Sequence, residues 1–469
     1  MRSNRYNLVF CYAANDKEND GTEMLYSPLA LAYLARHTPH YYDITLYDEY
    51  VGEDLDAETV EADLVAISSL TSGITRAYEI ADVLKRRGIK SVIGGAHATS
   101  LPNEALQHFD TVIQGEGETP WRAFLEDFEA NATKSIYFGK MNVSLEKLGA
   151  PDRRYIHPNY HYASLLTSRG CPYHCSFCYL TVYKNRKYRA IPHETVLHDL
   201  ESLRDQFAVI ITDENFVGYT EKDYADRKAL LHKMISRKFK FYWGCQASVN
   251  LAQEPELMDL MYEAGCRVVF MGFEASSDSG LKQVNKKHNL GVDYKQVVKN
   301  LHKHKLAVIA STILGLDYHK KGYHLQLIKE LKEIKADYVR VFYMTAWPGT
   351  PLYKELEKED RVCTDWEKLR KDIPTIKFKN YTHLEAIEAR TAIMDSFFNW
   401  KNILKVTSRW LFIDRSLLGI FFKMYFRNKM SERIRNRRAK EKMMSAADGR
   451  TMKKPRVPRR LGFRKAVLL

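Results

Sequence analysis

Short apolar runs alternate with helix-like segments along most of this chain, and this alternation limits the fold more than any other feature. Five runs lie in the first part of the chain, at residues 7–11, 43–48, 64–69, 91–95 and 111–114. Six more follow at residues 163–168, 207–212, 241–247, 267–274, 306–314 and 337–344. Strands that alternate with helices form parallel sheets with helices on their faces. The sequence therefore predicts an α/β protein, with an N-terminal Rossmann-like domain followed by a partial (β/α)6 TIM-type barrel.

With 469 residues the chain is too long for one ordinary hydrophobic core, so we expect several parts. Its 45% apolar and 28% charged residues are typical of a folded protein. The expected parts are an N-terminal domain at 1–135, a linker at 136–160, the barrel at 161–355, a helical C-terminal cap at 356–400 and a tail at 401–469. The first residues contain only a short apolar run, unlike a signal peptide, and a cytoplasmic protein is expected.

Three of the seven cysteines, Cys171, Cys175 and Cys178, lie within eight positions. The odd total and this clustering disfavour a disulfide framework. Thiolates at C-x3-C-x2-C spacing in one loop can reach a common metal centre. Structural zinc normally takes four ligands, and His174 could supply the fourth only through an awkward turn. A [4Fe–4S] cluster with three protein ligands and one open iron is the favoured interpretation, and zinc is the alternative.

The cysteine motif resembles the signature of the radical S-adenosylmethionine (SAM) enzymes. The resemblance implies that SAM binds the open iron through its amino and carboxylate groups. An electron from an external reductant, such as flavodoxin or ferredoxin, would then cleave SAM to a 5′-deoxyadenosyl radical. The resemblance also suggests the residues that face SAM, which are Phe177, Asp213, Glu214, Gln246, Gly272, Glu274 and Gly315. The alternatives are structural, because these carboxylates can cap helices or bridge strands, and the glycines and the phenylalanine can serve packing.

The loops after the strands of the first block are rich in serine and glycine, as in "SSLTSG", "GGAHATS" and "GEGET". Ligands of parallel sheets bind at these strand ends, and the missing G-x-G-x-x-G motif disfavours a dinucleotide. The loops resemble the cobalamin-binding domain that precedes the barrel in many radical SAM enzymes. The resemblance suggests these cobalamin contacts: Ser68, Ser69, Thr71, Gly94, Gly95, His97, Gly115, Glu116, Gly117 and Glu118.

The loop after the first strand, residues 12–21, contains no histidine. Members of the wider cobalamin-binding group supply a cobalt ligand from a histidine in this loop, so here the lower face of cobalt is expected to lack one. His97 is expected to pack as a polar residue near the edge of the ligand, and a contact with cobalt is the less favoured alternative.

The positive charge of the chain is concentrated at its C-terminal end. Residues 401–469 carry 21 of the 72 lysines and arginines and only 4 of the 58 acidic residues, although the whole chain has a net charge of +14. The aromatic and basic stretch at 409–429 contains too few apolar residues to span a bilayer. It suits an amphipathic helix on a membrane surface, which would place the cytoplasmic protein peripherally on the inner membrane surface. Packing on the barrel with a solvated basic tail is the slightly favoured alternative, and contact with nucleic acid is disfavoured.

Together these features predict a cobalamin-dependent radical SAM enzyme that modifies an unactivated carbon. Methylation of that carbon is the favoured reaction, on a lipid-like, polyprenoid, tetrapyrrole or other natural-product small molecule. The alternative in the same family is a radical cyclisation, an oxidation or the formation of a C–C or C–O bond. A methylthiotransferase and a non-enzymatic cobalamin or iron–sulfur sensor are disfavoured.

Overall fold

Two parallel β-sheets of six strands each form the framework of the protein. The computed structural model describes residues 5–14, 26–140, 144–183, 187–369, 373–415 and 417–419. The first sheet belongs to the N-terminal part of the chain and the second to the barrel, and we name them the N-terminal sheet and the barrel sheet. The predicted α/β architecture is confirmed in both.

The N-terminal sheet has the strand order β2-β1-β3-β4-β5-β6, and each pair of neighbours is parallel. The strands are β1 (Tyr6–Tyr12), β2 (Tyr42–Asp48), β3 (Leu64–Ser68), β4 (Lys90–Gly94), β5 (Thr111–Gln114) and β6 (Ile136–Phe138). The five predicted strands are present. The sixth, β6, pairs with β5 and lies at the start of the segment that we expected to be a linker.

Among the residues that the structure describes, five helices cover this sheet: α1 (Ala30–Arg36), α2 (Ile74–Arg86), α3 (Ala96–Ser100), α4 (Pro102–Ala105) and α5 (Glu118–Glu129). Alternate residues of β1 point to opposite faces. Val9 and Cys11 pack with α2, α3 and α4, whereas Leu8 and Phe10 pack with α1 and α5. A sheet buried on both faces explains why its strands read as continuous apolar runs.

The barrel sheet is also parallel throughout, in the order β14-β13-β12-β11-β10-β7. Its strands are β7 (Ala163–Leu165), β10 (Ala208–Ile211), β11 (Tyr242–Gln246), β12 (Cys266–Glu274), β13 (Ala307–Leu314) and β14 (Tyr338–Tyr343). All six match predicted runs. A short antiparallel ribbon of β8 (Ser168–Arg169) and β9 (Arg189–Ala190), which the sequence did not predict, flanks the three cysteines.

The helices of the barrel alternate with its strands. They are α6 (His193–Glu201), α7 (Glu221–Ser236), α8 (Pro255–Glu263), α9 (Asp278–Gln283), α10 (Tyr294–Lys303), α11 (Tyr323–Glu333) and α12 (Pro351–Lys358). Several begin with side-chain caps. Thr220 forms a capping box with Asp223 at the start of α7, and the side chain of Thr350 accepts a hydrogen bond from the backbone of α12. The sequence "PGTP" therefore starts a helix after the last strand.

Two further helices, α13 (His383–Phe397) and α14 (Trp400–Ile413), pack against the barrel from outside. Arg390 of α13 donates to the carbonyl of Val341 in β14. Asp337, at the start of β14, accepts hydrogen bonds from Arg409 (2.7 Å) and from the indole of Trp410 (2.8 Å) in α14. Trp410 is fully buried. The first part of the expected tail is thus a helix docked at the base of the barrel.

Most of the basic tail lies outside the described residues, which end at 419. This holds for most of the amphipathic stretch at 409–429 as well. Over the part of the chain that the structure describes, none of the helices combines the length and the apolar character that a membrane span requires.

Candidate active site

A cavity of about 420 Å³ lies where the C-terminal ends of the N-terminal strands face the cysteine loop. This volume is within the usual range for small organic ligands. From the first part of the chain it is lined by Tyr26, Ser27, Pro28, Leu29, Ala30, Leu31, Tyr33, Leu34, Ala66, Ile67, Ser68, Val92, Gly94, Gly95, Ile113, Gly115, Glu116, Gly117, Glu118 and Trp121. From the barrel it is lined by Leu166, Arg169, Gly170, Cys171, Tyr179, Leu180, Tyr183, Arg189, Thr212 and Glu214.

Seven of the ten residues suggested for cobalamin line this cavity: Ser68, Gly94, Gly95, Gly115, Glu116, Gly117 and Glu118. The glycines bring bare backbone to the strand ends. Gly95 has a φ of 110°, and a Cβ there would collide with the carbonyl oxygen of Ser69. The edge of the N-terminal sheet therefore offers a smooth face to a flat ligand.

The other three, Ser69, Thr71 and His97, are buried and do not belong to the cavity lining. His97 is fully buried, and its Nε2 lies 3.1 Å from Oε1 of Glu104. Its ring packs edge-on against Trp366 of the C-terminal extension. His97 therefore lies in the protein core and outside the cavity lining, and its packing near the ligand edge stays a prediction.

The carboxylate of Glu104 contacts three polar side chains, those of His97, Tyr78 and Trp366. Its Oε1 also accepts hydrogen bonds from the hydroxyl of Tyr78 and the indole of Trp366, both at 2.9 Å. Burial alone would raise the pKa of Glu104, but the hydrogen bonds from His97 and Tyr78 hold it below its ordinary value. The C-terminal extension is thereby attached to the N-terminal domain.

Ion pairs join the two sides of the cavity. Arg169, two residues before the first cysteine of the motif, contacts Glu118 with 2.6 Å between Nη2 and Oε1. Arg189 pairs with Glu116. Burial acts to raise the pKa of Glu118, but the charge of Arg169 outweighs it and the pKa is lowered. These carboxylates bind the cysteine loop as well as lining the cavity.

The three cysteines lie on one loop between β8 and β9, and none forms a disulfide. Cys171 faces the cavity, whereas Cys175 is buried. Within the described residues, no group of three His, Cys, Asp or Glu side chains converges as a site for one metal ion. In an iron–sulfur cluster each thiolate binds its own iron, so the sulfurs do not need to meet at one point. The loop therefore suits a cluster with three protein ligands.

Asp213 and Glu214 follow β10 but have different surroundings. Asp213 is fully buried and accepts hydrogen bonds from the backbone N–H of Thr167 (2.7 Å) and from the hydroxyls of Thr167 and Ser168 (2.5 Å each). Glu214 lines the cavity and accepts from the backbone N–H of Gly170 at 3.0 Å. The oxygens of Asp213 are occupied by these donors in the core, and its suggested contact with SAM stays a prediction.

The positions suggested for SAM on later strands are also at the C-terminal end of the barrel sheet. Gln246 is exposed at the end of β11. Glu274 ends β12 and pairs with Lys286, and a Cβ on Gly272 would collide with the Glu274 carboxylate. Gly272 therefore leaves room for an ion pair.

Gly315 and Phe177 are both packed against apolar side chains from other parts of the chain. Gly315 follows β13 with a φ of 96°, and a Cβ there would collide with the ring of Phe378. Phe177 is half-buried against an apolar cluster that includes Val284 and Leu352. Both positions are packed in this structure, and their roles toward SAM stay predictions.

Two functional candidates were missed by sequence reasoning, Arg169 and Lys286. Arg169 stands beside the motif in "SRGC", and the acidic loop "GEGE" is its complement. That complementarity of charge was the available signal. Lys286 had no such signal, because its contact with Glu274 depends on the course of the chain between them.

Comparison with known proteins agrees with this arrangement. The chain matches the Radical SAM superfamily over residues 165–331 and the B12 binding domain over residues 22–125. It is 32% identical to the bacteriochlorophyllide d C-12(1)-methyltransferase of Chlorobaculum tepidum over 355 residues, which cover 73% of this chain and 76% of that protein. It is 25% identical to the bacteriochlorophyllide d C-8(2)-methyltransferase of the same organism, over 92% of this chain and 97% of that protein.

A solved structure shares the fold. The radical S-adenosylmethionine methyltransferase TsrM from Kitasatospora setae, with cobalamin and a [4Fe–4S] cluster bound, superimposes with a TM-score of 0.65 at 15% sequence identity. The match covers 93% of this chain and 100% of that chain. The chain described above therefore belongs to the radical SAM enzymes that carry a B12 binding domain in front of the barrel, a family whose cofactors are a [4Fe–4S] cluster, SAM and cobalamin.

Proposed function

We propose that this enzyme transfers a methyl group to an unactivated carbon of a large, mostly apolar small molecule, with a tetrapyrrole as the favoured substrate class. The observation that carries the proposal is the shared cavity between the cysteine loop and the glycine-rich edge of the N-terminal sheet. Similarity to two bacteriochlorophyllide methyltransferases over most of the chain supports the reaction and the substrate class. A lipid-like substrate is the next candidate.

The residues present fit the three cofactors. Cys171, Cys175 and Cys178 lie on one loop, form no disulfide and would hold the cluster. Glu214, beside Cys171 at the cavity, would receive the amino group of SAM, and Gln246 would face it from the end of β11. The glycine backbone at the ends of β4 and β5 would carry cobalamin. When bound, these groups supply a carbon-centred radical and a transferable methyl group.

The protein contributes position and exclusion of water. The ion pairs of Arg169 and Arg189 with the acidic loop hold the cysteine loop against the edge of the N-terminal sheet. Aliphatic side chains such as Leu31, Leu34 and Ile113 line the same cavity and keep it apolar. A substrate carbon bound at this cavity would lie near both proposed cofactor sites, and methyl transfer needs such proximity.

The test uses the full chain, reconstituted with iron, sulfide and cobalamin without oxygen. It is incubated with a strong reductant, SAM deuterated in its methyl group, and bacteriochlorophyllide d. A product that gains the labelled methyl group, together with 5′-deoxyadenosine, supports the proposal. Consumption of the substrate with 5′-deoxyadenosine but without the label supports the alternative of a radical cyclisation or oxidation. Absence of 5′-deoxyadenosine under all conditions overturns both.

We also propose that the C-terminal end binds an anionic membrane surface. Residues 420–469 hold 17 lysines and arginines and 3 acidic residues. On α14, Leu404 and Leu411 are exposed and lie two helical turns apart on one side, next to the exposed Lys401 and Lys405. Apolar and basic side chains on one face are typical of helices at lipid interfaces.

Vesicle sedimentation tests this proposal. The full chain is expected to bind vesicles that contain phosphatidylglycerol and not vesicles of phosphatidylcholine alone, and the binding should weaken with salt. A chain that ends at residue 419 and the variant L404S/L411S should each bind less. The variant L325S removes an equally exposed leucine from α11 and should bind as the full chain does. Equal sedimentation of all four proteins would overturn the proposal.

A further inference from the structure

The ammonium group of Lys286 is buried next to the cysteine loop. The residue is only 9% exposed, and its Nζ lies 3.2 Å from Oε1 of Glu274. Burial opposes the charge on Lys286, but the negative charge of Glu274 outweighs it and the pKa of Lys286 is raised. Lys286 is therefore a cation inside the protein.

The backbone near Glu274 has an unusual conformation that leaves room for the Glu274–Lys286 ion pair. Glu274 has a φ of 60°, in the left-handed region that non-glycine residues seldom adopt. The pairing of β12 with β13 shifts by one residue between Gly272 and Glu274. A Cβ on Gly272 would lie 2.8 Å from Nζ of Lys286 and collide with the carboxylate. Such local strain persists where surrounding structure holds it, often at functional sites.

The cysteine loop is docked on the segment that carries Lys286. The backbone N–H of Ser176 donates to the carbonyl of Val284 at 2.9 Å, and the side chain of Asn285 donates to the carbonyl of His174 at 2.6 Å. These bonds join the residues just before Lys286 to the residues on either side of Cys175. They keep the cation and the buried cysteine close together.

The cation of Lys286 lies next to the loop that carries the cysteines, because the two residues before it bond to the residues on either side of Cys175. A buried cation acts strongly on its neighbours because the protein interior screens charge far less than water does. The same field acts on any negatively charged group that the cysteines hold.

We infer that Lys286 and Glu274 form a positioning pair that sets the reduction potential of the iron–sulfur cluster, an inference that rests on the proposed role of the three cysteines. Reduction adds one negative charge to the cluster. The cation of Lys286 favours the reduced state, and Glu274 both places that cation and partly cancels it. Charge and hydrogen bonding around the sulfurs are among the main determinants of such potentials.

The test is a redox titration of the reconstituted full chain, followed by the electron paramagnetic resonance signal of the reduced cluster. K286M removes the cation, so the potential should fall. E274Q removes the carboxylate, so the potential should rise. K286R keeps the charge and should stay close to the wild type, and the double variant E274Q/K286M should return toward it.

A matched control separates electrostatics from loss of structure. Asp199 of α6 is also a buried carboxylate paired with a cation. Its Oδ2 lies 2.8 Å from Nη2 of Arg153. D199N should reduce thermal stability without moving the potential. Opposite shifts for K286M and E274Q support the inference, since a merely structural pair predicts shifts in the same direction or none.

Three outcomes would contradict the claims about the cluster and the pair. If the wild type takes up no cluster, the proposed function fails. If the wild type holds a cluster and the potentials of E274Q and K286M do not move in opposite directions, the pair has no such role. If K286M retains no cluster, E274Q decides alone, and a potential that is unchanged or lower overturns the inference.

Discussion

Arg169 and Glu118 join the cysteine loop to the helix that begins beneath the cavity, with 2.6 Å between Nη2 and Oε1. Both side chains are largely buried, at 15% and 12% exposure. Glu118 is the first residue of α5 and Arg169 ends β8. The relative position of the two cofactor sites therefore depends on this contact.

Removing Glu118 from the pair should destabilise the protein. E118Q leaves the buried guanidinium of Arg169 without its main partner, which should cost about 3 kcal/mol in the free energy of unfolding. Chemical denaturation at pH 7 measures it. E126Q, on the same helix but in the exposed pair with Arg122, should change little. Equal effects of E118Q and E126Q would show that the buried pair does not link the domains.

The same pair predicts a dependence on pH. The pKa of Glu118 is lowered in the folded protein, so its contribution is present above the ordinary glutamate pKa and is lost as the pH falls through the folded value. The difference in stability between the wild type and E118Q should be complete above about pH 5 and should shrink below about pH 4. Thermal unfolding of the wild type and E118Q at a series of pH values from about 3 to 7 measures this difference. A difference that grows in acid would contradict it.

Each of the three loop cysteines should be required for the cluster. Replacement of Cys171, Cys175 or Cys178 by Ala should remove most of the bound iron and abolish formation of 5′-deoxyadenosine, because each thiolate holds its own iron. Cobalamin binding, measured from the visible spectrum, should remain. C363A changes a cysteine of the C-terminal extension and should retain iron. Loss of iron and cobalamin together would mean that the two sites are not separate.

Asp213 and Glu214 should differ in what their loss affects. D213N disturbs a fully buried carboxylate with three hydrogen bonds and should reduce the free energy of unfolding by about 3 to 5 kcal/mol. E214Q should leave stability nearly unchanged and weaken SAM binding, measured by calorimetry on the reconstituted protein. The reverse pattern would restore Asp213 as the residue that faces SAM.

Helix α14 should be part of the folded barrel. Trp410 is fully buried and donates its indole N–H to Asp337. W410A should cost about 3 to 5 kcal/mol in the free energy of unfolding. W400A, at the exposed start of the same helix, should cost far less. A chain that ends at residue 419 should unfold at the same temperature as the full chain, whereas one that ends at residue 398 should be clearly less stable.

Eleven of the twelve strands of the two sheets could be predicted because their residues form short, mainly apolar runs. Strand β6 was missed because Ile136–Phe138 is only three residues long and follows polar residues. The ribbon of β8 and β9 was missed for a related reason, since two residues a side carry no periodic signal. A strand must therefore be longer than two or three residues before the pattern of apolar residues can indicate it.

The cavity was partly predictable and its ionic contacts were not. The glycine loops and the cysteine motif lie at strand ends, whose positions follow from parallel topology. The same reasoning suggested His97 and Asp213 as ligand contacts, whereas the structure buries both and bonds them to Glu104 and to Thr167 and Ser168. Which of two neighbouring carboxylates faces a cavity depends on side-chain contacts between distant segments, which local sequence does not encode.

Glu104 bears on whether the parts of this enzyme can be separated. It accepts hydrogen bonds from Tyr78 and His97 of the N-terminal domain and from Trp366, more than 200 residues later in the chain. In an isolated N-terminal fragment, Trp366 would no longer pack against His97, and the half-buried carboxylate of Glu104 would lose one hydrogen-bond donor. Moving the N-terminal domain alone onto another barrel would therefore remove the contact that Trp366 of the C-terminal extension supplies.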